Sequence, residues 1–342
     1  MEIMIAVREV LARFLQGLSI KWEIKEKFHL AARVGYYSYF VGRSDPEELL
    51  KLAALEMKVE KYNFAIKYLE EYLEKDKDSV KAHLLLGIAY RQNGDYEQAI
   101  ETHLKCLKKN EEDVNTLYTL GLDYEKAKKI RTAKRYYSKV IETEKAYEKA
   151  YFRLAHLYMQ EKKYDLAVNL YLDGLSLREG TAKDWINLSL CYLMTANLKA
   201  AEKVLKEALE IFPRSTEVLF ALGTCYIKNR DYKKTAIIVT KLEEREEGGL
   251  ALSLKVKEAI DRKNYELLGE LLEQFDKKER NAEYWYMKSI VDANIKDEKK
   301  AISSLSKAIE LNPDLRTEAL KDDNFALIRE LVDFKHIVYP RK

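Results

Sequence analysis

Tyr90, Tyr124, Tyr158, Tyr192 and Tyr226 stand 34 residues apart, and a fixed period of that length restricts a chain to folds made by stacking one supersecondary unit. Other columns keep the same step. Leu86, Leu120, Leu154, Leu188 and Leu222 stand one helical turn before the tyrosines, each followed by a small residue: Gly87, Gly121, Ala155, Ser189 and Gly223. Ala65, Ala99, Ala133, Ala167 and Ala201 form another column, and Tyr62, Tyr96, Tyr164 and Tyr232 a further one, its gaps filled by Ile130 and Leu198.

Two antiparallel helices pack closely only where one is small and the other large, so the Gly/Ala/Ser and Ala columns mark the points of approach. Leucine and tyrosine, one turn apart on one helix, fill the space beside them. Between helices, Asn93-Gly94-Asp95 and Asn229-Arg230-Asp231 supply a stop and a cap. The repeated unit is therefore a helical hairpin. Only 12 Gly and 4 Pro occur among 342 residues, too few for the turns a β or α/β fold needs, while 34% charged beside 47% hydrophobic residues suits amphipathic helices.

Trp185, Leu188, Ser189, Tyr192, Leu198, Ala201, Leu205, Ala208 and Pro213 together resemble the tetratricopeptide-repeat family. In phase with them, repeats begin near Pro46, Val80, Val114, Glu148 and Thr216, and Trp285, Ala301, Ala308 and Pro313 mark another starting near Ala282. The stretch at 249–281 is degenerate, with Lys255 and Val256 where Leu and Gly are expected. The resemblance implies an all-α fold, a right-handed superhelical solenoid of antiparallel helix hairpins with about seven or eight repeats and a helical cap at each end. It divides the chain into an N-terminal cap at 1–45, the repeat array at 46–315 and C-terminal capping helices at 316–342.

Residues 1–45 fall outside the period. Ile3, Val7, Val10, Phe14 and Leu18 make an apolar stripe at helical spacing, and Trp22, Phe28, Tyr36, Tyr37, Tyr39 and Phe40 follow. A cap over the open face of the first repeat explains them; a docking or membrane-surface helix is the other reading. Leu315 to Val338, with Ala319, Phe325, Leu331 and Phe334, reads as the closing cap.

The 60 basic and 57 acidic residues leave a net charge of +3, so no overall field recruits nucleic acid or anionic lipid. No stretch approaches the roughly 18 apolar residues of a membrane span. The odd count of cysteines, Cys106, Cys191 and Cys225, without ligand spacing, suits a reducing compartment. The expected setting is cytoplasmic, or the cytoplasmic face of a membrane assembly. His29, His83, His103, His156 and His336 never recur at i, i+4, and no phosphate loop or nucleophile elbow is present. We expect no enzyme, no metal, no cofactor and no small-molecule substrate. The run Lys128, Lys129, Arg131, Lys134, Arg135 and Lys139, interleaved with Tyr136 and Tyr137, is the one candidate for nucleic acid, and a solvated convex face explains it better.

In the family the first helix of each repeat lines the concave surface, so its non-consensus positions carry recognition. The fifth position reads Leu50, Leu84, Tyr118, Phe152, Ile186 and Phe220; the ninth reads Ala54, Ile88, Leu122, His156, Leu190 and Thr224. Lys149, Arg153 and Lys183 edge this mostly apolar stripe. Packing between neighbouring first helices would explain part of it. The preferred reading is a groove, comprising Leu84, Ile88, Tyr118, Leu122, Lys149, Phe152, Arg153, His156, Lys183, Ile186, Leu190 and Phe220, that binds an amphipathic or acidic-hydrophobic segment of another protein. Some relatives clamp the C-terminal carboxylate of heat-shock chaperones; Lys149 and Arg153 match part of that set, but Leu84, Ile88 and Thr119 replace its other polar ligands, so no such clamp is expected. The function read here is a non-catalytic adaptor or scaffold. Its alternative is a structural subunit of a motility, secretion or similar assembly, for which self-association is expected.

Overall fold

The computed structural model describes Val34, Tyr37 and residues 46–275 and 280–339; the expectation of a cap over 1–45 lies outside the described residues save those two. The described residues are all-helical, with no strand among them. They divide between two compact units, Met1–Glu179 and Gly180–Lys342.

In the first unit, α1 (Pro46–Lys58) and α2 (Tyr62–Lys75), α3 (Val80–Asn93) and α4 (Tyr96–Lys109), α5 (Val114–Lys126) and α6 (Ile130–Thr143), and α7 (Glu148–Gln160) and α8 (Tyr164–Leu177) pack as successive hairpins. Ala65, Ala99, Ala133 and Ala167 are wholly buried on the second helices, where a larger residue would push the pair apart. The small column of the first helices does matching work: a methyl on Gly87 would overlap the His103 ring, and one on Gly121 the Tyr137 ring.

Each hairpin turns through a left-handed residue. Glu60, Gly94, Lys128, Lys162, Ala196 and Arg230 all have positive φ and stand 34 residues apart. The next amide closes the helix end on the tyrosine column: Lys129 N donates to the Tyr124 carbonyl at 2.9 Å, Lys163 N to Tyr158 at 2.9 Å, Asn197 N to Tyr192 at 2.8 Å and Asp231 N to Tyr226 at 2.9 Å. The turn thus keeps the period in backbone geometry, though only Gly94 among these has the residue type that adopts it freely.

The second unit holds α9 (Ala182–Met194) and α10 (Leu198–Ile211), α11 (Thr216–Lys228) and α12 (Tyr232–Glu243), α13 (Gly248–Asp261) and α14 (Tyr265–Glu273), and α15 (Ala282–Asn294) and α16 (Glu298–Leu311). The degenerate stretch keeps its hairpin. Its fully buried leucine is Leu254 rather than position 255, set against Gly223 of α11, because α13 begins at Gly248, earlier than a strict step from Thr216. α17 (Leu315–Lys321), a 3-10 turn (Asp323–Phe325) and α18 (Val332–Val338) follow, burying Leu315, Ala319, Phe325, Phe334 and Val338 with Ile290 and Leu305.

Candidate protein-binding face

In the first unit the fifth and ninth residues of the first helices stay near the surface while their neighbours go inside. Leu117, Leu120 and Ala150 are wholly buried, whereas Tyr118, Leu122, Phe152 and His156 are half-buried, as are Leu84 and Ile88. Residues at i and i+4 share one helical face, so Tyr118 with Leu122, and Phe152 with His156, form two adjacent apolar strips. Leu50, at the matching place in α1, is buried and so departs from the stripe.

The aromatic rings are held rather than free. Tyr118 lies 5.7 Å from Tyr137 and 5.1 Å from Tyr147, centroid to centroid. Phe152 stacks on Tyr171 at 6.3 Å and rests on the gap left by Gly174. Packing within the hairpin onto Tyr137 and Tyr171, and across to Tyr147, therefore holds these rings, and both stay half-buried.

Charge surrounds these strips. Arg153, half-exposed, reaches Glu125 at 3.4 Å; burial opposes its charge, but Glu125 and the Tyr118 hydroxyl beside it outweigh that and hold the guanidinium firmly protonated. Glu125 also accepts from the Tyr137 hydroxyl at 2.7 Å, and burial followed by the Glu125 charge pushes that phenol far up. Lys149 is exposed and pairs with no carboxylate among the described residues. Gln160 lies 3.1 Å from the His156 ring.

Beneath the strips lies a cluster the sequence reading passed over. Arg91 Nη1 donates to Asp123 Oδ1 at 2.7 Å and to the Thr119 carbonyl at 3.4 Å. His103 Nδ1 meets Asp123 Oδ2 at 2.5 Å, and its Nε2 lies 3.2 Å from the Leu84 carbonyl. Both His103 and Asp123 are wholly buried. The signal was in the columns: His103 stands where the next repeats have Tyr137 and Tyr171, and Asp123 where others have Ala89, Leu157, Cys191 and Cys225.

In the second unit, Ile186, Leu190 and Met194 follow one another at i, i+4, i+8 on α9, with Leu190 at 42% and Met194 at 55% exposure. Phe220 on α11 is half-buried, with Lys257 over its ring at 5.9 Å. Lys183 is exposed and pairs with no carboxylate among the described residues. Of the twelve residues expected to line the groove, eight lie on the first unit and Lys183, Ile186, Leu190 and Phe220 on the second.

Part of the basic run is neutralised where it stands. Lys129 pairs with Glu97 at 2.9 Å, Lys134 with Glu161 at 2.5 Å, and Lys139 donates to the Glu111 carbonyl at 3.2 Å. Tyr136 is stacked on Tyr124 at 5.3 Å, and Tyr137 is wholly buried, so neither ring is set out for a base. Cys191 and Cys225 are buried, and burial pushes both thiols up to about 11, away from reactivity. Among the described residues no group of His, Cys, Asp and Glu has the arrangement to hold a metal, and no helix is long and apolar enough to cross a membrane.

A family model described as tetratricopeptide repeat matches residues 148–181, 185–215 and 282–315, and one described as anaphase-promoting complex, cyclosome, subunit 3 matches residues 58–140. A solved tetratricopeptide repeat protein from Parabacteroides merdae is 14% identical and superposes with a TM-score of 0.53, over 81% of this chain and 97% of that one. The chain is a tetratricopeptide-repeat protein. Other similar structures are pilF of Pseudomonas aeruginosa, at 16% identity and TM-score 0.48 over 62% of this chain and 96% of that one, and MamA, at 26% and 0.43 over 48% and 96%. Curated proteins yield no match. Tetratricopeptide repeats are interaction modules, and the matched models describe repeats and a subunit of a complex, with no catalytic family among them.

Proposed function

We propose that this protein is a non-catalytic adaptor that holds a segment of another protein against the first helices of the middle repeats in its first unit, centred on Tyr118, Leu122, Phe152 and His156 and edged by Lys149 and Arg153. One observation carries the reading: apolar side chains that the repeat's own interior does not enclose are kept half-exposed in register on neighbouring helices. The partner is an apolar segment with acidic flanks, because Lys149 pairs with no carboxylate among the described residues and Glu125 already takes Arg153 and Tyr137. Leu84 and Ile88 extend the strip. Lys183, Ile186, Leu190 and Phe220 offer a second surface of like character on the second unit. The convex basic run is not part of this function: two of its lysines are taken by Glu97 and Glu161, Tyr136 is stacked on Tyr124, and Tyr137 is buried.

The test is a double substitution, Tyr118→Ala with Phe152→Ala, in the full chain. Binding of a partner segment is expected to fall by more than tenfold while the helical circular dichroism spectrum persists. Because those rings also pack within the unit, Lys149→Glu serves beside them: it has no packing to lose and is expected to weaken an acidic partner by several-fold, more so at low salt. Undiminished binding in both variants would sink the proposal.

A further inference from the structure

Within the second unit the same helix positions are open on α9 and covered on α15, and on α15 the cover is the chain's own C-terminal segment. The fifth, ninth and thirteenth residues of α9 are Ile186, Leu190 and Met194; those of α15 are Tyr286, Ile290 and Asn294. Leu190 is 42% exposed, Ile290 only 4%. What crosses α15 is residues 322–328. Tyr286 Oη donates to Asp322 Oδ2 at 3.0 Å, Phe325 meets the Tyr286 ring edge-on at 5.4 Å and 85°, and Asn294 Nδ2 donates to the Asn324 carbonyl at 2.9 Å. Phe325 is wholly buried and Ile328 nearly so. The stretch Asp322-Asp323-Asn324-Phe325-Ala326-Leu327-Ile328 therefore shows, on this protein's own repeat, what chemistry such a face accepts: a carboxylate on a tyrosine hydroxyl, with an aromatic three residues later and an aliphatic three beyond it.

Among the open first helices of the middle repeats, Tyr118 of α5 is the one fifth-position residue that repeats the phenol of Tyr286; Leu84, Phe152, Ile186 and Phe220 lack the hydroxyl. Tyr118 also has beside its hydroxyl the Arg153 guanidinium, one nitrogen of which reaches Glu125 at 3.4 Å, and on the same helix as Arg153 stands Lys149, which pairs with no carboxylate among the described residues. Leu122 and Phe152 supply the apolar seat below. We infer that the face around Tyr118 binds a partner segment of the form Asp-x-x-Phe-x-x-aliphatic, its carboxylate taken by the Tyr118 hydroxyl and the Arg153 guanidinium and its aromatic ring seated between Leu122 and Phe152. This rests on the binding-face reading above and adds the chemistry of the occupant.

The experiment uses the full chain and a fluorescent peptide of residues 322–330, followed by anisotropy. Saturable binding is expected, about tenfold weaker for peptides carrying Asp322→Asn or Phe325→Ala, and about tenfold weaker for the original peptide on Tyr118→Phe or Arg153→Gln protein. A peptide that does not bind, or binds equally well after Asp322→Asn or Phe325→Ala, overturns the inference. A display selection of random peptides on the same chain separates the two levels. Binders that need the Tyr118 and Phe152 rings but lack the aspartate and phenylalanine spacing overturn this inference and leave the face as a binding site; binders indifferent to both rings overturn both.

Discussion

Asp123 and His103 occupy places that neighbouring repeats give to packing residues, and the exchange converts a hydrophobic contact into a buried ionic one. A lone carboxylate with no water around it would be costly, but Arg91 at 2.7 Å and the His103 ring at 2.5 Å surround it from two other helices. Removing one member leaves the others buried without a partner. Asp123→Ala is therefore expected to destabilise the first unit by about 3–5 kcal/mol, measured by urea denaturation. The triple His103→Tyr, Asp123→Leu and Arg91→Met, which installs the residues that later repeats carry as Tyr137, Leu157 and Met159 and leaves no cation behind, is expected to recover much of that loss; a triple as unstable as Asp123→Ala would refute the account. The sequence showed two polar residues out of column. It did not show that they meet, since they lie on different hairpins and only the stacking of α5 on α3 and α4 brings them together.

At the scale of the hairpin, the left-handed turn residue is the element that most obeys the period and least shows it. Positive φ recurs at Glu60, Gly94, Lys128, Lys162, Ala196 and Arg230, yet by residue type only Gly94 announces itself. The others accept the backbone cost because the next amide closes the helix on the tyrosine-column carbonyl. Ala196→Gly relieves that cost without touching the bond and is expected to stabilise the second unit by about 1 kcal/mol, seen as a raised Tm. The same substitution at Ala201, wholly buried and with no such φ, should instead destabilise. Helix starts were legible to the residue at Pro46, Val80, Val114, Glu148, Thr216 and Ala282 because apolar columns mark them. The register inside α13 was not, since that repeat has lost its small residues and packs Leu254 on Gly223 instead.

For the whole molecule, a repeat chain is stabilised by each hairpin's contact with the next, so loss at one end should stay local. The C-terminal segment covers α15 and α16 with Phe325 and Phe334, both wholly buried. Ending the chain before Asp322 is expected to remove at least about 3 kcal/mol, at roughly 1.5–3 kcal/mol for each large apolar side chain. Hydrogen exchange should then quicken in α15 and α16 and stay unchanged in α3 to α8. Faster exchange throughout the first unit would contradict nearest-neighbour stabilisation.

The sequence by itself determined the hairpin, its length, and which columns go inside, because a period of 34 residues with small and large residues in fixed places leaves one way to pack two helices. It also set out the candidate face, since the fifth and ninth positions are apolar without being required by that packing. What only the tertiary structure decided is how those side chains are used. It showed that Tyr118 and Phe152 pack their rings on neighbouring tyrosines, that Glu97 and Glu161 pair with Lys129 and Lys134 of the basic run, and that residues 322–328 lie on Tyr286. The physical reason is common to all three. Each is a meeting of side chains far apart in the sequence, from the facing helix of the same hairpin or from an element beyond it, and a one-dimensional period records that such positions recur but not which of them touch.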